Sequence, residues 1–289
     1  KITNTRLGRT GLVISKVSYG GIISMNEKQE DSDRFVDYAI NNGVNYFDVA
    51  PSYGNAQEIL GNSLINKRKD IFLACKTGEF GLEQGKAQFN ESLKLLHTDY
   101  FDVFQLHGLT TDEQLDRAFG PNGIMGFLVS LKKQGKVRNI GFSAHSERVA
   151  LKALSLYDFD TVLFPFNWSM SLSLGAGEKL LTEAKKRDMG ILGLKVLAER
   201  ALKEGEGIKY PKSWYKPIDL SDREFVRAAV SYSLSLGIHT IVTPGYFEYL
   251  EFLLEHMTEF SDPSLLGSSV DYLKGKINAK ENEILPDIL

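Results

Sequence analysis

Short apolar runs alternate with amphipathic stretches along the whole chain. Eight of these runs read as strands: 17–22, 45–50, 71–77, 100–108, 139–144, 161–167, 190–196 and 239–245. Their apolar character is continuous, which fits strands covered on both faces. Between them, apolar positions recur at helical spacing. Phe35, Tyr38 and Ala39 mark one helix. Phe225, Ala228, Ala229, Tyr232 and Leu236 mark another, with Ser221 and Glu224 expected to form its capping box. Helices near 83–96, 124–134, 146–157, 177–188 and 246–257 fill the other gaps. Regular strand–helix alternation implies a parallel sheet. Eight such units in one chain most simply close into a (β/α)₈ TIM barrel, a single α/β domain over residues 1–289. An open doubly wound sheet is the alternative. No GxGxxG fingerprint follows the first strand, which weakens it.

Two pieces fall outside the eight units. Residues 1–16 read as a β-hairpin turning at Gly11, expected to plug the bottom of the barrel. Residues 198–220 form a long loop after the seventh strand, at the face where barrel active sites lie, and could lid a site. The tail after Pro263 reads as one more helix and then a polar end.

Composition narrows the function. The 289 residues are 43% hydrophobic and 25% charged, ordinary for a globular chain, with a net charge of −3. Dispersed basic residues argue against a nucleic-acid partner. No apolar run is long enough to span a membrane. Cys75 is the only cysteine, so neither a disulfide framework nor a cysteine-based metal site is expected. The start lacks a signal-like apolar core, and a reducing, cytoplasmic location is the simplest expectation. It also lacks an initiator methionine, which reads as a trimmed start.

Barrel active sites gather at the C-terminal ends of the strands. Asp48 ends the second strand, with Tyr53 in the loop after it; Lys76 ends the third and His107 the fourth. Alternation puts Val103, Gln105 and His107 on one face, and Phe72, Ala74 and Lys76 on one face of the neighbour. Cys75 then points toward the helices, as a small buried hydrophobe. The four groups suit proton transfer coupled to hydride transfer. Tyrosine ordinarily titrates near pH ~10, and an ammonium beside it is expected to lower that value. Asp48 would keep Lys76 charged and aimed, His107 would hydrogen-bond the carbonyl oxygen, and Tyr53 would give the proton. Singly, each residue has a plainer reading as a cap, an ion-pair partner or a surface group. Together, in this order on consecutive strands, they favour the functional one.

The stretch FDVAPSYGNAQEILG resembles the signature of the aldo-keto reductase family, matched at Asp48, Ala50, Tyr53, Gly54, Glu58, Leu60 and Gly61. RLGRTGLVISKVSYGG is similar to that family's N-terminal hairpin and first strand, and VRNIGFSAHS to its fifth strand; SAH and LKVLA resemble a divergent bacterial branch. The resemblance implies a catalytic tetrad of Asp48, Tyr53, Lys76 and His107. It implies a nicotinamide cofactor, NADP(H) or NAD(H), a small carbonyl substrate and a monomer. Some members of that branch carry iron–sulfur clusters, for which this chain lacks the cysteines.

The cofactor half departs from the family pattern. Ser143 is kept, but Ala144 replaces the asparagine that follows it, and His145 is the candidate substitute. Leu163 stands where the family has a glutamine on strand six, and Leu194, with Lys195 beside it, where an aromatic stacks on the nicotinamide. Gly20, Gly21, Thr243 and Gly245 are the other expected cofactor contacts, Gly245 near the pyrophosphate. After strand eight the family places basic residues for the 2′-phosphate of NADP; this chain carries Glu248, Glu251 and Glu255. NADH use is therefore a live expectation, unless Lys195, Arg200 or Lys203 supplies the charge. Tyr19, Ile23, Phe166, Trp168 and Trp214 are the candidate substrate-pocket residues, the bland alternative for Phe166 and Trp168 being core packing. Two other functions are open. One is a non-catalytic NAD(P)H-binding or sensing relative. The other is a metal-dependent hydrolase using Asp48, His107 and His145, which would need clustered ligands.

Overall fold

In the computed structural model, residues 1–278, 282, 284–286 and 288–289 are described. The chain opens with a hairpin in which β1 (Asn4–Arg6) pairs antiparallel with β2 (Val13–Ser15). Gly11 makes the turn at φ +77°, where a side chain would be strained. Leu7, Leu12 and Ile14 are buried against interior barrel residues such as Tyr46, Val103 and Leu192. At Gly8 the backbone lies so close to Asp188–Gly190 that a Cβ would sit 2.3–2.5 Å from it. The hairpin therefore seals the N-terminal end of the barrel, as its sequence suggests.

The barrel strands follow: β3 (Val17–Gly20), β4 (Tyr46–Asp48), β5 (Phe72–Thr77), β6 (Phe101–Leu109), β7 (Val137–Ala144), β8 (Thr161–Phe164) and β9 (Gly190–Gly193). After a short antiparallel pair, β10 (Ala198–Ala201) and β11 (Tyr215–Pro217), comes the last barrel strand, β12 (Thr240–Val242). All eight barrel strands are parallel and close in the order β12-β3-β4-β5-β6-β7-β8-β9. Around them run α1 (Gln29–Asn41), α2 (Ala56–Ser63), α3 (Leu82–Leu95), α4 (Asp112–Phe119), α5 (Met125–Lys133), α6 (Glu147–Leu156), α7 (Trp168–Leu174), α8 (Glu178–Lys186), α9 (Arg223–Ser235), α10 (Phe247–Phe260) and α11 (Leu266–Lys276). Alternate strand residues such as Phe47, Leu73, Cys75, Phe104 and Phe142 fill the layer between strands and helices. Their partners in the alternation face inward.

Several boundaries differ from the sequence expectation. Apolar runs overreach the ladders at their C-terminal ends: the runs ending at 22, 50, 167, 196 and 245 stop as strands at Gly20, Asp48, Phe164, Gly193 and Val242. The remaining residues turn into the loops that build the top face. The cap of α9 is Asp222, which accepts from the Phe225 N–H, and not Ser221, whose N–H is donated to Asp219. Helix α4 was not expected, although Thr111 and Gln114 form a capping box there. The long loop also holds the β10–β11 pair, invisible to a search for apolar runs because AERA and YKP are short and polar. The helix expected after Pro263 is α11; part of the polar end lies outside the described residues.

Candidate active site

The register of the barrel fixes which side chains meet. Asp48 is level with Gly20 on β3 and Ala74 on β5, and Lys76 is level with Gln105 on β6. Lys76 thus stands two residues above Asp48 on the neighbouring strand, both facing in. Its ammonium donates to Asp48 Oδ2 at 2.6 Å and to the Tyr53 hydroxyl at 2.9 Å. Tyr53 reaches this point because the chain turns sharply after Asp48. The Tyr53 N–H is donated to Ala50 O, the Ala56 N–H to Tyr53 O, and Gly54 adopts φ +53°. The His107 ring stands edge-on to the Tyr53 ring, 6.0 Å between centroids. The four groups expected at the mouth are therefore adjacent.

One contributor went unassigned in the sequence. Gln105 donates from Nε2 to the other carboxylate oxygen of Asp48 at 2.9 Å. It was visible on the His107 face of its strand; its task depends on register across two strands.

Burial sets the electrostatics. It disfavours the Lys76 ammonium, but the charges of Asp48 and Tyr53 and their hydrogen bonds outweigh it, and the pKa is raised. For Tyr53 burial wins: the phenol is pushed up, Lys76 opposes this, and Asp48 adds to it. The expectation that Lys76 brings the phenol below its ordinary value is thus corrected, because removing the hydroxyl from water outweighs one ammonium already matched by Asp48. His107 falls to about 3, through burial first and then Lys76, His145 and Lys195, so its imidazole is neutral. Cys75 points away from this site, and burial pushes its thiol up to about 12.

Above the four lies a cavity of about 240 Å³, lined in part by Tyr53, Lys76, His107, Ser143, His145, Lys195 and Trp214. It adjoins a narrower cleft of about 40 Å³ between the ends of β3 and β12, lined by Gly20, Gly21, Thr243, Gly245, Lys212 and Trp214. Tyr53, Leu194, Lys195 and Trp214 wall both spaces.

The Aldo/keto reductase family model matches residues 17–241, which include Asp48, Tyr53, Lys76 and His107 and run from the start of β3 into β12. The chain belongs to the aldo/keto reductase family. It is 31% identical over 176 residues to an uncharacterized oxidoreductase, YqkF, of Bacillus subtilis, across 56% of this chain and 55% of that protein. It is 27% identical over 255 residues to L-galactose dehydrogenase of Arabidopsis thaliana, across 82% of this chain and 77% of that one. The chain thus spans only about half of the Bacillus relative. Its fold is that of the aldo-keto reductase AKR11C1 of Bacillus halodurans, with a TM-score of 0.71, 21% identity and 96% of this chain and 97% of that chain covered.

The remaining expected positions divide. Ser143 lines the cavity, and its hydroxyl accepts the Gly108 N–H at 2.8 Å. Ala144 is packed in the outer layer, while His145 lines the cavity, where burial and Lys195 lower its imidazole to about 4. Leu163, Leu194 and Lys195 line it as well. Of the three candidate cations on the seventh loop, Arg200 forks onto Glu206 at 2.7 and 2.9 Å, and Lys195 alone is among the cavity residues. Helix α10 begins beside Gly245 without a side-chain cap, and Glu248 is exposed in its first turn. Glu251 and Glu255 lie further along, toward Tyr38 of α1.

Four aromatic or aliphatic substrate-pocket candidates are core residues instead. The Tyr19 hydroxyl bonds Ser24 while its ring stacks on Phe47, and Ile23 is buried in the same layer. Trp168 donates its indole N–H to Ala198 O, and Phe166 packs on Phe164 and against Gly177. Only Tyr19 is on a strand, where alternation turns it outward; Ile23, Phe166 and Trp168 lie in the turns and helix start beyond their strands, which carry them into the helix layer. Trp214 is at the cavity, 62% exposed, its ring 6.3 Å from that of Tyr53. Among the described residues no group of three or more His, Cys, Asp and Glu is placed to hold a metal ion, so the hydrolase reading finds no ligand set. No helix among them is long and apolar enough to cross a membrane.

Proposed function

We propose that this chain reduces an aldehyde or ketone to an alcohol with a nicotinamide cofactor, Tyr53 acting as the general acid. The observation that carries the reading is the Tyr53 hydroxyl 2.9 Å from an ammonium that Asp48 holds at 2.6 Å. Burial keeps the proton on Tyr53 while the site is idle. When the phenol gives that proton to the carbonyl oxygen, the phenolate left behind forms beside Lys76, whose charge is already in place. Neutral His107 can offer a ring N–H to the same oxygen without competing as an acid. A nicotinamide, when bound, would supply the hydride for the carbonyl carbon.

The chain's residues fit such a cofactor. Gly20, Gly21, Thr243 and Gly245 would hold its phosphates with the uncapped N–H groups that start α10. Ser143, His145, Leu163, Leu194 and Lys195 would face the nicotinamide end. Glu248 in the first turn of α10 opposes the extra phosphate of NADP(H), which favours NAD(H).

One observation favours a non-catalytic nucleotide-binding relative. Ser143 already serves Gly108, and neither Leu163 nor Leu194 can hydrogen-bond the carboxamide. The test is to mix the protein with NADH or NADPH and a panel of aldehydes, follow the loss of nicotinamide absorbance, and identify the alcohol by mass. Turnover supports the reductase reading. Tight nucleotide binding with no alcohol formed across the panel would leave the non-catalytic reading standing.

A further inference from the structure

Lys195 is a buried cation with no counter-charge among the described residues. It leaves the barrel just after β9 in a left-handed conformation, φ +55°, which a side chain adopts at a cost of about 1–2 kcal/mol. The backbone is tied there: Lys195 O accepts from Asn167 Nδ2 at 3.0 Å and from the Ala198 N–H at 3.1 Å. The residue is only 7% exposed. Its ammonium lies over the rings of Trp214 and Tyr215, at 5.7 and 5.5 Å, and has no hydrogen bond or ion pair among the described residues. Burial is the sole influence on its pKa, which it lowers to about 8.

A buried ammonium without an anion is costly unless something that comes and goes compensates it. The groups facing the same cavity do not. Lys76 is matched by Asp48, while His107 and His145 are neutral, and no carboxylate of the described residues lines the 240 Å³ space. Among the described residues the cavity therefore carries one uncompensated positive charge, and its influence reaches both imidazoles, on the side where a carbonyl would meet Tyr53. The narrow cleft toward Gly245, by contrast, has backbone N–H groups of its own for phosphate.

We propose that Lys195 recognises a carboxylate on the substrate, so that the preferred substrates are short oxo acids and not neutral carbonyl compounds. This rests on the reductase reading for its chemistry, but the subsite itself does not. With a neutral substrate the ammonium stays desolvated and unpaired; with an oxo acid it gains a charge-assisted hydrogen bond in a dry site.

The test compares succinic semialdehyde with butanal, chains of equal length with and without the carboxylate. The expected kcat/KM ratio in wild type favours the acid by roughly tenfold to hundredfold, the value of a hydrogen bond to a charged group. Lys195→Met and Lys195→Gln should both bring the ratio close to one. A second readout needs no turnover: quenching of tryptophan fluorescence by succinate, which should weaken by a similar factor in both variants. Succinate binding that depends on Lys195 in a protein that reduces neither aldehyde would keep the subsite and sink the reductase reading. A ratio near one in wild type, or one that survives both substitutions, overturns the proposal. So does a loss confined to NADH and NADPH affinity, which would assign Lys195 to a nucleotide phosphate.

Discussion

Gln105 and Lys76 divide the carboxylate of Asp48 between them: Gln105 Nε2 donates to Oδ1 at 2.9 Å, Lys76 Nζ to Oδ2 at 2.6 Å. With a donor on each oxygen the carboxylate cannot rotate, and the ammonium aimed at Tyr53 is held by a fixed partner. Gln105 thus fixes the carboxylate that holds Lys76. Gln105→Leu leaves Oδ1 buried without its donor, at a cost of about 1.5–3 kcal/mol. The expected outcome is a kcat lower by roughly tenfold to hundredfold with a small change in KM. Gln105→Glu places a second acid beside Asp48, so the two share a proton and activity becomes steeply pH-dependent on the acid side. Steady-state pH profiles of both variants check this.

His107 should not titrate near neutrality. Its pKa is lowered in the folded protein from 6.5 to about 3, so the unfolded chain binds the extra proton across that interval. The stability that His107 provides is therefore present above pH 6.5 and is lost as pH falls from there toward 3. An NMR titration of the imidazole resonances should find His107 unchanged through pH 6–7, while an exposed histidine titrates with a midpoint near ~6.5.

Lys195 destabilises the fold at neutral pH. Its pKa is about 8 when folded against 10.5 when free, so the unfolded chain holds the proton more readily between those values. The penalty is complete below pH 8 and disappears as pH rises to 10.5. Lys195→Met should raise the unfolding free energy at pH 7 by at most about 3 kcal/mol, the gap converted at 1.36 kcal/mol per unit. Urea unfolding should show that gain shrinking as pH rises, a dependence absent if the lysine reached solvent.

Nucleotide preference should follow the first turn of α10. Glu248 is exposed there beside the helix N-terminus, and reversing its charge by Glu248→Lys should tighten NADPH by roughly threefold to thirtyfold, two charge effects of about 0.3–1 kcal/mol each. NADH should change much less. Fluorescence titration measures both; equal gains for the two nucleotides would mean the mutation acts on the pyrophosphate and not on the 2′-phosphate.

The clustering of Asp48, Tyr53, Lys76 and His107 is legible in the sequence because it needs only a strand end and a parity. Asp48, Lys76 and His107 close apolar runs, and alternation puts Gln105 and His107 on one face. What needed three dimensions was lost or misread. Gln105 meets Asp48 only through the register of β4, β5 and β6. Phe166 and Trp168 had the composition of a pocket wall, yet the end of β8 sends them to the helix layer, where the Trp168 indole finds Ala198 O. The ammonium effect on Tyr53 had the right sign, but burial, which no sequence window displays, was larger. Asp222 took the cap expected of Ser221, a one-residue displacement between two residues equally able to cap. The β10–β11 pair carries no apolar alternation, so its sequence reads as plain loop.

The most direct test of the central claim is a single-turnover reaction of Tyr53→Phe against wild type. Each protein is loaded with whichever reduced nucleotide it binds and mixed with an aldehyde that wild type reduces, and nicotinamide absorbance is followed. Loss of the phenolic proton should slow the chemical step by roughly 10²–10⁴-fold while nucleotide affinity stays within a factor of about two. A Tyr53→Phe protein that turns over at the wild-type rate would contradict the account, because the proton would then come from somewhere other than the hydroxyl that Lys76 and Asp48 are arranged around.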